Sequence, residues 1–164
     1  MITVRKLFNP SKRKSKICLT CSAGGHLTEI LQLKECYKRC HHLFITFKRE
    51  DTTELSKKEK MYFVDDPKRN LLSVFKCIFQ TFKIIIKEKP NVIISTGAGV
   101  ALPSCYISKL FFKSKIIFVE SFCRTEEPSL SGKLVYPIAD LFFVQWRRLL
   151  DKYGKKAIYR GAVI

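Results

Sequence analysis

The chain has 164 residues, of which 46% are hydrophobic. This length and composition exclude a disordered chain and suffice for one domain with its own core, without disulfides or metal ions to stabilise it. The 31 Lys and Arg residues outnumber the 14 Asp and Glu residues, so the net charge is +17. Such a charge predicts anionic partners, which are nucleic acid, anionic lipid or phosphorylated substrates. Seven cysteines, an odd number, exclude a closed set of internal disulfides and favour a reducing compartment.

Residues 1–15 are predicted to form a flexible basic arm, because basic side chains surround the sequence Asn9-Pro10-Ser11, which disfavours regular structure. No apolar region typical of a signal peptide follows the arm. Lysines interrupt the long apolar segments before they reach the ~18 residues of a membrane span. We therefore expect a single domain over residues 16–164 and no membrane-spanning helix.

From residue 16 onwards, short apolar runs alternate with segments of helical periodicity. The predicted strands span residues 17–21, 43–47, 62–64, 92–95, 116–120, 141–145 and 157–159. One helix is predicted to begin at Leu27 and two more to span residues 71–87 and 100–112, with a charged loop or short helix at residues 48–60. This alternation predicts the α/β class, a parallel sheet with helices on both faces and right-handed crossovers.

Three unusual loops follow predicted strands, at residues 22–26, 96–99 and 120–124. In a parallel sheet every strand-to-helix loop leaves the carboxyl edge, and ligands bind at that edge. We therefore expect the three loops to meet and to form one ligand cleft.

The first loop joins a buried strand to a helix and contains Ser22, Gly24 and Gly25. The two glycines let the backbone approach a ligand closely and expose amide groups at the helix N-terminus, which suits a phosphate, a pyrophosphate or a sugar hydroxyl. The loop has neither the Walker nor the dinucleotide-binding pattern. The alternative is a tight turn that needs glycine only for packing.

His26 lies at the start of the helix that follows this loop. The positive end of a helix disfavours an imidazolium, so one hypothesis is a neutral imidazole that acts as a general base. The other hypothesis is a histidine that caps or packs the helix.

The second loop has the same architecture, with the small residues Thr96, Gly97 and Gly99 after a buried strand. Turn chemistry alone is again the alternative. Two such loops at one sheet edge nevertheless favour a ligand cleft over two unrelated turns.

The third loop begins with Glu120 at the end of an apolar strand, followed by Ser121 and Arg124. A carboxylate at this position faces the carboxyl edge, where it holds a sugar hydroxyl, acts as a base or forms a structural ion pair with Arg124. The sequence leaves these alternatives open.

The cysteines suggest a zinc site by spacing only. Cys18 and Cys21 lie within one predicted buried strand and point to opposite faces, so they do not ligate one ion together with residues 36–42. A redox motif is excluded too, because such a motif opens a helix. We predict no metal site and no cofactor.

The predicted helix 71–87 is strongly apolar but contains Lys76, Lys83 and Lys87. We favour a core-packing helix whose lysine stems lie along apolar surface. The alternative is a basic helix that dips into a lipid monolayer. Together with the basic arm and the net charge, this segment predicts peripheral association with a membrane.

Several motifs in fixed order resemble one protein family. They lie at residues 22–27, 95–100, 120–124, 129–140 and 144–146, with Pro103 after the second. This set is similar to the accessory subunits of the two-component UDP-N-acetylglucosamine transferase of lipid-linked oligosaccharide synthesis, including bacterial and archaeal polysaccharide-biosynthesis relatives. The resemblance covers residues 16–164. It implies a Rossmann-like sheet equivalent to the N-terminal domain of a GT-B glycosyltransferase.

The resemblance also implies a function. A subunit of this family binds a polyprenyl-pyrophosphate-linked acceptor at the membrane, and it recruits and activates a separate donor-binding chain. Transfer from UDP-GlcNAc or a related UDP-hexose is inverting, needs no metal, and does not occur with the subunit alone. His26 or Glu120 is the implied base, and we prefer His26. The implied substrate-binding residues are Ser22, Gly24, Gly25, Thr96, Gly97, Gly99, Ser121 and Arg124.

One feature of the sequence departs from the family pattern. Eukaryotic members begin with a transmembrane anchor, whereas this sequence begins with a basic arm, so we expect peripheral attachment to the cytoplasmic face of the membrane.

The alternative function is a basic nucleic-acid- or nucleotide-binding module. We expect no nucleic-acid partner, because the basic residues are scattered along the chain. We disfavour a self-sufficient nucleotide-binding enzyme, because Lys48 and Arg49 follow the second strand, where an acidic ribose ligand would be needed.

Overall fold

The computed structural model describes residues 15–67 and 70–163. In chain order their elements are β1 (Lys16–Thr20), α1 (Gly25–Gln32), α2 (Lys34–Tyr37), β2 (His41–Thr46), α3 (Glu50–Leu55), β3 (Met61–Phe63), α4 (Leu71–Glu88), β4 (Val92–Ser95), α5 (Ala101–Phe112), β5 (Lys115–Val119), α6 (Leu130–Val135), β6 (Leu141–Val144), α7 (Leu149–Tyr153) and β7 (Ala157–Tyr159). The predicted basic arm lies outside the described residues except for Ser15.

The strands of these residues form one seven-stranded sheet in the order β3-β2-β1-β4-β5-β6-β7. Every neighbouring pair is parallel, and Cys18 in β1 pairs with Leu43 on one side and Ile93 on the other. The central strands are buried on both faces, which explains why they read as uninterrupted apolar runs. The predicted α/β fold is confirmed.

The core consists of two clusters, one on each face of the sheet. The first cluster joins the sheet to α4, α5, α6 and α7, and the second joins it to α1, α2 and α3. Cys18 belongs to the first cluster and Cys21 to the second, as the alternation of side chains along a strand requires. Burial raises the pKa of both thiols, that of Cys21 to about 12.

The observed elements differ from the predicted ones mainly where they are short. The first strand is displaced by one residue, to Lys16–Thr20, and the charged segment 48–60 contains the short helix α3. The helices α2, α6 and α7 were not anticipated, since four to six residues are too few to display a helical period.

The longest helix, α4, exposes much of its apolar surface. Asn70 caps it by accepting a hydrogen bond from the backbone of Leu72. Leu71, Phe75 and Phe79 are 75%, 67% and 58% exposed, so the expected core-packing helix is wrong for this face. Only the opposite face, which includes Cys77, reaches the core. Within the described part of the chain, no helix is both long and apolar enough to cross a membrane.

Candidate functional site

A cavity of about 550 Å³ opens at the carboxyl edge of the sheet. Its walls come from the three predicted loops and from the first turns of α1, α5 and α6. The lining residues are Gly25, His26, Glu29, Ala98, Gly99, Leu102, Ser121, Cys123, Arg124, Ser129, Leu130 and Ser131. The structure therefore brings the three loops together, as the parallel topology demands.

The first loop reaches the cavity through Gly25 and not through Ser22. Gly24 adopts φ 82°, a conformation that favours glycine. Its amide donates a hydrogen bond of 2.8 Å to Asp51 Oδ2. A phosphate at this amide would have to displace a carboxylate of the same chain.

His26 lines the cavity from the first turn of α1. Its backbone carbonyl accepts a 2.8 Å hydrogen bond from the hydroxyl of Thr96, which is itself fully buried and does not line the cavity. Within the described residues, the ring nitrogen Nδ1 is buried and has no hydrogen-bond partner. Since buried polar atoms in folded proteins almost always have partners, this ring differs from a histidine that merely caps a helix.

Both glycines of the second loop are required by space or by conformation. Gly97 adopts φ 111°, and a Cβ added there would lie 3.4 Å from Cε1 of His26. A Cβ on Gly99 would lie 2.6 Å from Cγ of Pro67. Only Gly99 of the two lines the cavity, next to Ala98.

Glu120 is buried beside the cavity and is held by its own chain. Its Oε1 accepts a hydrogen bond from the Ser121 amide (2.8 Å), and its Oε2 accepts from the amide and hydroxyl of Ser129 (3.1 and 3.0 Å) and from the hydroxyl of Tyr153. Burial and this carboxylate raise the pKa of Tyr153. Arg124 lines the cavity as an exposed residue and is not among the partners of Glu120.

Glu29 was missed by the sequence interpretation. It lies one turn after His26 on α1, is 2% exposed and lines the cavity. Its Oε1 accepts hydrogen bonds from Ser121 Oγ (2.8 Å) and the Phe122 amide (3.1 Å), and its Oε2 accepts one from Gln145 Nε2 (3.3 Å). The one available signal was an acidic residue on the inward, otherwise apolar face of this helix.

The cavity is acidic and polar at its buried wall, and basic and apolar at its exposed rim. The buried wall carries the carboxylate of Glu29 and the hydroxyl of Ser121, whereas the rim carries Arg124 and Leu130, which is 73% exposed. Over residues 15–67 and 70–163, no three His, Cys, Asp or Glu side chains are grouped as metal ligands.

The fold is shared with other proteins of known structure. MurG of Acinetobacter baumannii superposes with a TM-score of 0.73 at 11% identity, over 90% of this chain and 45% of that one. A UDP-N-acetylglucosamine 2-epimerase from Rickettsia bellii gives 0.72 at 15% identity, over 92% and 46%. This chain therefore corresponds to less than half of either protein, and its sheet is the Rossmann-like sheet found in them.

Sequence relatives are more informative. The mouse protein named UDP-N-acetylglucosamine transferase subunit ALG14 is 28% identical over 181 residues, covering 91% of this chain and 83% of the mouse protein. The subunit of the same name in Schizosaccharomyces pombe is 45% identical over 78 residues, covering 45% of this chain and 37% of that protein. The model of the family described as "Oligosaccharide biosynthesis protein Alg14 like" matches residues 67–163, more than half of the chain. The chain therefore belongs to the Alg14-like family of oligosaccharide biosynthesis proteins.

Proposed function

We propose that this chain is the acceptor-binding subunit of a heteromeric, inverting glycosyltransferase. It binds a polyprenyl-pyrophosphate-linked sugar at the cytoplasmic face of a membrane. A separate donor-binding chain supplies UDP-GlcNAc or a related UDP-hexose. The observation that carries this proposal is the cavity at the carboxyl edge, which combines His26 and Glu29 with an exposed Arg124 in a member of the Alg14-like family.

The cavity suits a sugar joined to a phosphate. Its volume of about 550 Å³ lies within the usual range of small-molecule sites. Hydroxyl and carboxylate groups on its wall match sugar hydroxyls, and the guanidinium of Arg124 at the rim matches a phosphate.

In this proposal His26 is the general base. It takes the proton from the acceptor hydroxyl while the oxygen attacks the anomeric carbon, and the bond from that carbon to UDP breaks so that UDP leaves with its electron pair. We give Glu120 a positioning role, because its carboxylate already accepts hydrogen bonds from Ser121, Ser129 and Tyr153. Thr96 and Gly97 likewise position His26 instead of binding substrate directly.

A partner chain is part of the proposal because the relatives are named as subunits. We infer that the donor site lies on the partner and that this chain alone does not transfer sugar.

Membrane attachment is assigned to the outward surface of α4. We call this the α4 surface and define it by the apolar residues Leu71, Leu72, Phe75 and Phe79 together with Lys76, Lys83 and Lys87. The Lys83 ammonium lies 4.3 Å from the ring centroid of Phe79, so charge and apolar area are interleaved. This combination matches a monolayer with anionic headgroups.

The test is capture of the partner. The tagged full chain is used to retrieve proteins from a detergent-solubilised native membrane fraction, and the bound chains are identified by mass. Washing at high salt removes material held only by the +17 charge, and the tag alone is the control. Recovery of a donor-binding domain whose mixture with this chain transfers sugar from UDP-GlcNAc is expected. Recovery of no such chain would contradict the two-chain transferase.

A further inference from the structure

We propose that Glu29 binds a hydroxyl of the acceptor sugar inside the cavity. This inference rests on the proposed function, because it names the part of the acceptor that the buried wall recognises. It assigns a substrate-binding role to a residue that the sequence motifs did not single out.

The first argument is that the Glu29 carboxylate is held rigidly at the cavity. Ser121 Oγ and the Phe122 amide hold Oε1 at 2.8 and 3.1 Å. The other oxygen, Oε2, accepts only the long 3.3 Å hydrogen bond from Gln145 among the described residues. A carboxylate oxygen has two acceptor sites, so Oε2 keeps the capacity for a ligand hydroxyl.

The second argument comes from a comparison with Glu88, another buried glutamate. Glu88 is 4% exposed and is paired with the ammonium groups of Lys16 and Lys60 at 3.0 and 2.8 Å. The donors that the described residues bring to Glu29 are all neutral, as are those to Glu120, but of these two carboxyl groups only that of Glu29 belongs to a residue lining the cavity. An acidic side chain that is almost fully buried without a cationic partner is uncommon in folded proteins, and a polar group of this kind in the wall of a cavity is suited to bind a ligand.

The third argument is the chemistry of the ligand. A carboxylate repels a phosphate but accepts a hydrogen bond from a hydroxyl, so the wall around Glu29 selects the sugar end of the acceptor. Arg124 stands at the exposed rim and attracts the pyrophosphate. Leu130, 73% exposed at the same rim, is placed for the apolar chain. The acceptor therefore enters with its sugar first.

The experiment compares two lipids on the full chain. One is a short-chain polyprenyl pyrophosphate that carries GlcNAc, and the other is the same lipid without the sugar. The variant Glu29→Gln keeps the size of the side chain and removes its charge. We expect it to bind the sugar-bearing lipid about 10- to 100-fold more weakly and to leave binding of the sugar-free lipid unchanged. Glu54→Gln, which alters an exposed acid on α3, is the matched control.

A second variant covers the case in which Glu29→Gln does not fold. Glu29→Asp keeps the charge but withdraws it by one methylene, and we expect a smaller loss, again confined to the sugar-bearing lipid. Equal loss for both lipids, or no loss for either, would overturn the role of Glu29 alone. A wild-type chain that binds neither lipid would instead overturn the proposed function, and this inference with it.

Discussion

Glu88 illustrates, at the scale of single residues, how the fold neutralises a buried carboxylate. Burial by itself would raise its pKa, but hydrogen bonds from Lys60, Tyr62 and Lys16 lower it to about 2. The pKa in the folded chain is thus below the usual value of 4.5. This group therefore stabilises the protein above that value, and the stabilisation is lost as the pH falls towards the folded pKa.

We expect protonation of Glu88 to lower the free energy of unfolding by about 2–3 kcal/mol as the pH decreases from about 5 to about 2. In Glu88→Gln the corresponding part of the pH dependence disappears, because the side chain no longer titrates. Urea unfolding of both proteins across this pH range measures the difference. If the free energy of unfolding of Glu88→Gln depended on pH as steeply as that of the wild type, the lowered pKa of Glu88 would be contradicted.

The proposed role of His26 as general base is tested by a single substitution. In the complex with the captured partner, His26→Ala should lower the rate of sugar transfer by about 10²- to 10⁴-fold, the usual contribution of a general base. His41→Ala, at the exposed start of β2, is the matched control and should retain the wild-type rate. A reduction of less than about tenfold for His26→Ala would exclude it as the base.

Gly132 is a glycine whose necessity arises from side chains distant in sequence. A Cβ at this position of α6 would collide with the hydroxyl of Tyr153 and with Oε2 of Glu120. We expect Gly132→Ala to lower the free energy of unfolding by about 1–3 kcal/mol, the usual cost of overpacking. Gly25→Ala is the control for stability, since its added Cβ would meet nothing within 4 Å. Thermal or urea unfolding compares the two, and equal stability would refute the collision.

At the scale of elements, α4 shows what periodicity does and does not predict. Its apolar residues predicted a helix, and the helix is present over Leu71–Glu88. They did not predict which face would be covered, because this helix is apolar on more of its circumference than one packed face requires. Phe82 packs edge-on against Phe111 of α5, at 5.5 Å between ring centroids, while the face with Phe75 and Phe79 stays exposed.

We expect the double variant Phe75→Ser, Phe79→Ser to bind vesicles of phosphatidylglycerol and phosphatidylcholine at least about tenfold more weakly than the wild type. Each aromatic ring removed from water contributes of the order of 1.5–3 kcal/mol when fully buried. Co-sedimentation measures the binding. The matched control is Thr28→Ser, Gln32→Ser on α1, which packs on the opposite face of the sheet. Equal binding by the two double variants would remove the α4 surface from the proposal.

The short helices α6 and α7 carry the side chains that hold Glu120 in place. Ser129, the N-cap of α6, and Tyr153, in the last turn of α7, both donate to Glu120 at the end of β5. These contacts fix the strand end next to the cavity. Neither helix was predictable from its sequence, since a single turn or two leaves no periodic pattern.

At the scale of the whole molecule, the parallel sheet explains why one edge carries the site. Parallel connections place the loops after β1, β4 and β5 on the carboxyl edge, and the cavity is lined by all three. The charge of +17 is spread over the chain and gives a general attraction to anionic surfaces, without defining a site by itself.

We expect the purified chain alone to show no transfer from UDP-GlcNAc to a polyprenyl-pyrophosphate-linked sugar, and to gain it on addition of the captured partner. The physical reason is that the proposed donor site lies on the other chain. A radiolabel transfer assay with each chain alone and with the mixture measures this. Transfer by this chain alone would contradict the division of the two sites between two chains.

The amino-acid sequence by itself determined the fold class, the family and the meeting of the three loops. Buried parallel strands are visible as apolar runs, and parallel topology leaves their loops only one edge to occupy. The Gly-rich loops and the segment from Glu120 onwards also carry enough specific residues in order to identify the family.

Only the tertiary structure decided which acidic residue lines the cavity and which helix face is exposed. Glu29 meets Ser121 across 92 residues of sequence, and Glu120 meets Tyr153 across 33. Such partners follow from how helices pack on a sheet and leave no mark on local composition. Glu29 lines the cavity, and its Oε2 accepts one long hydrogen bond from the described residues, whereas Oε2 of Glu120 accepts three and that residue does not line the cavity. The two glutamates look alike in sequence, because their partners come from distant parts of the chain.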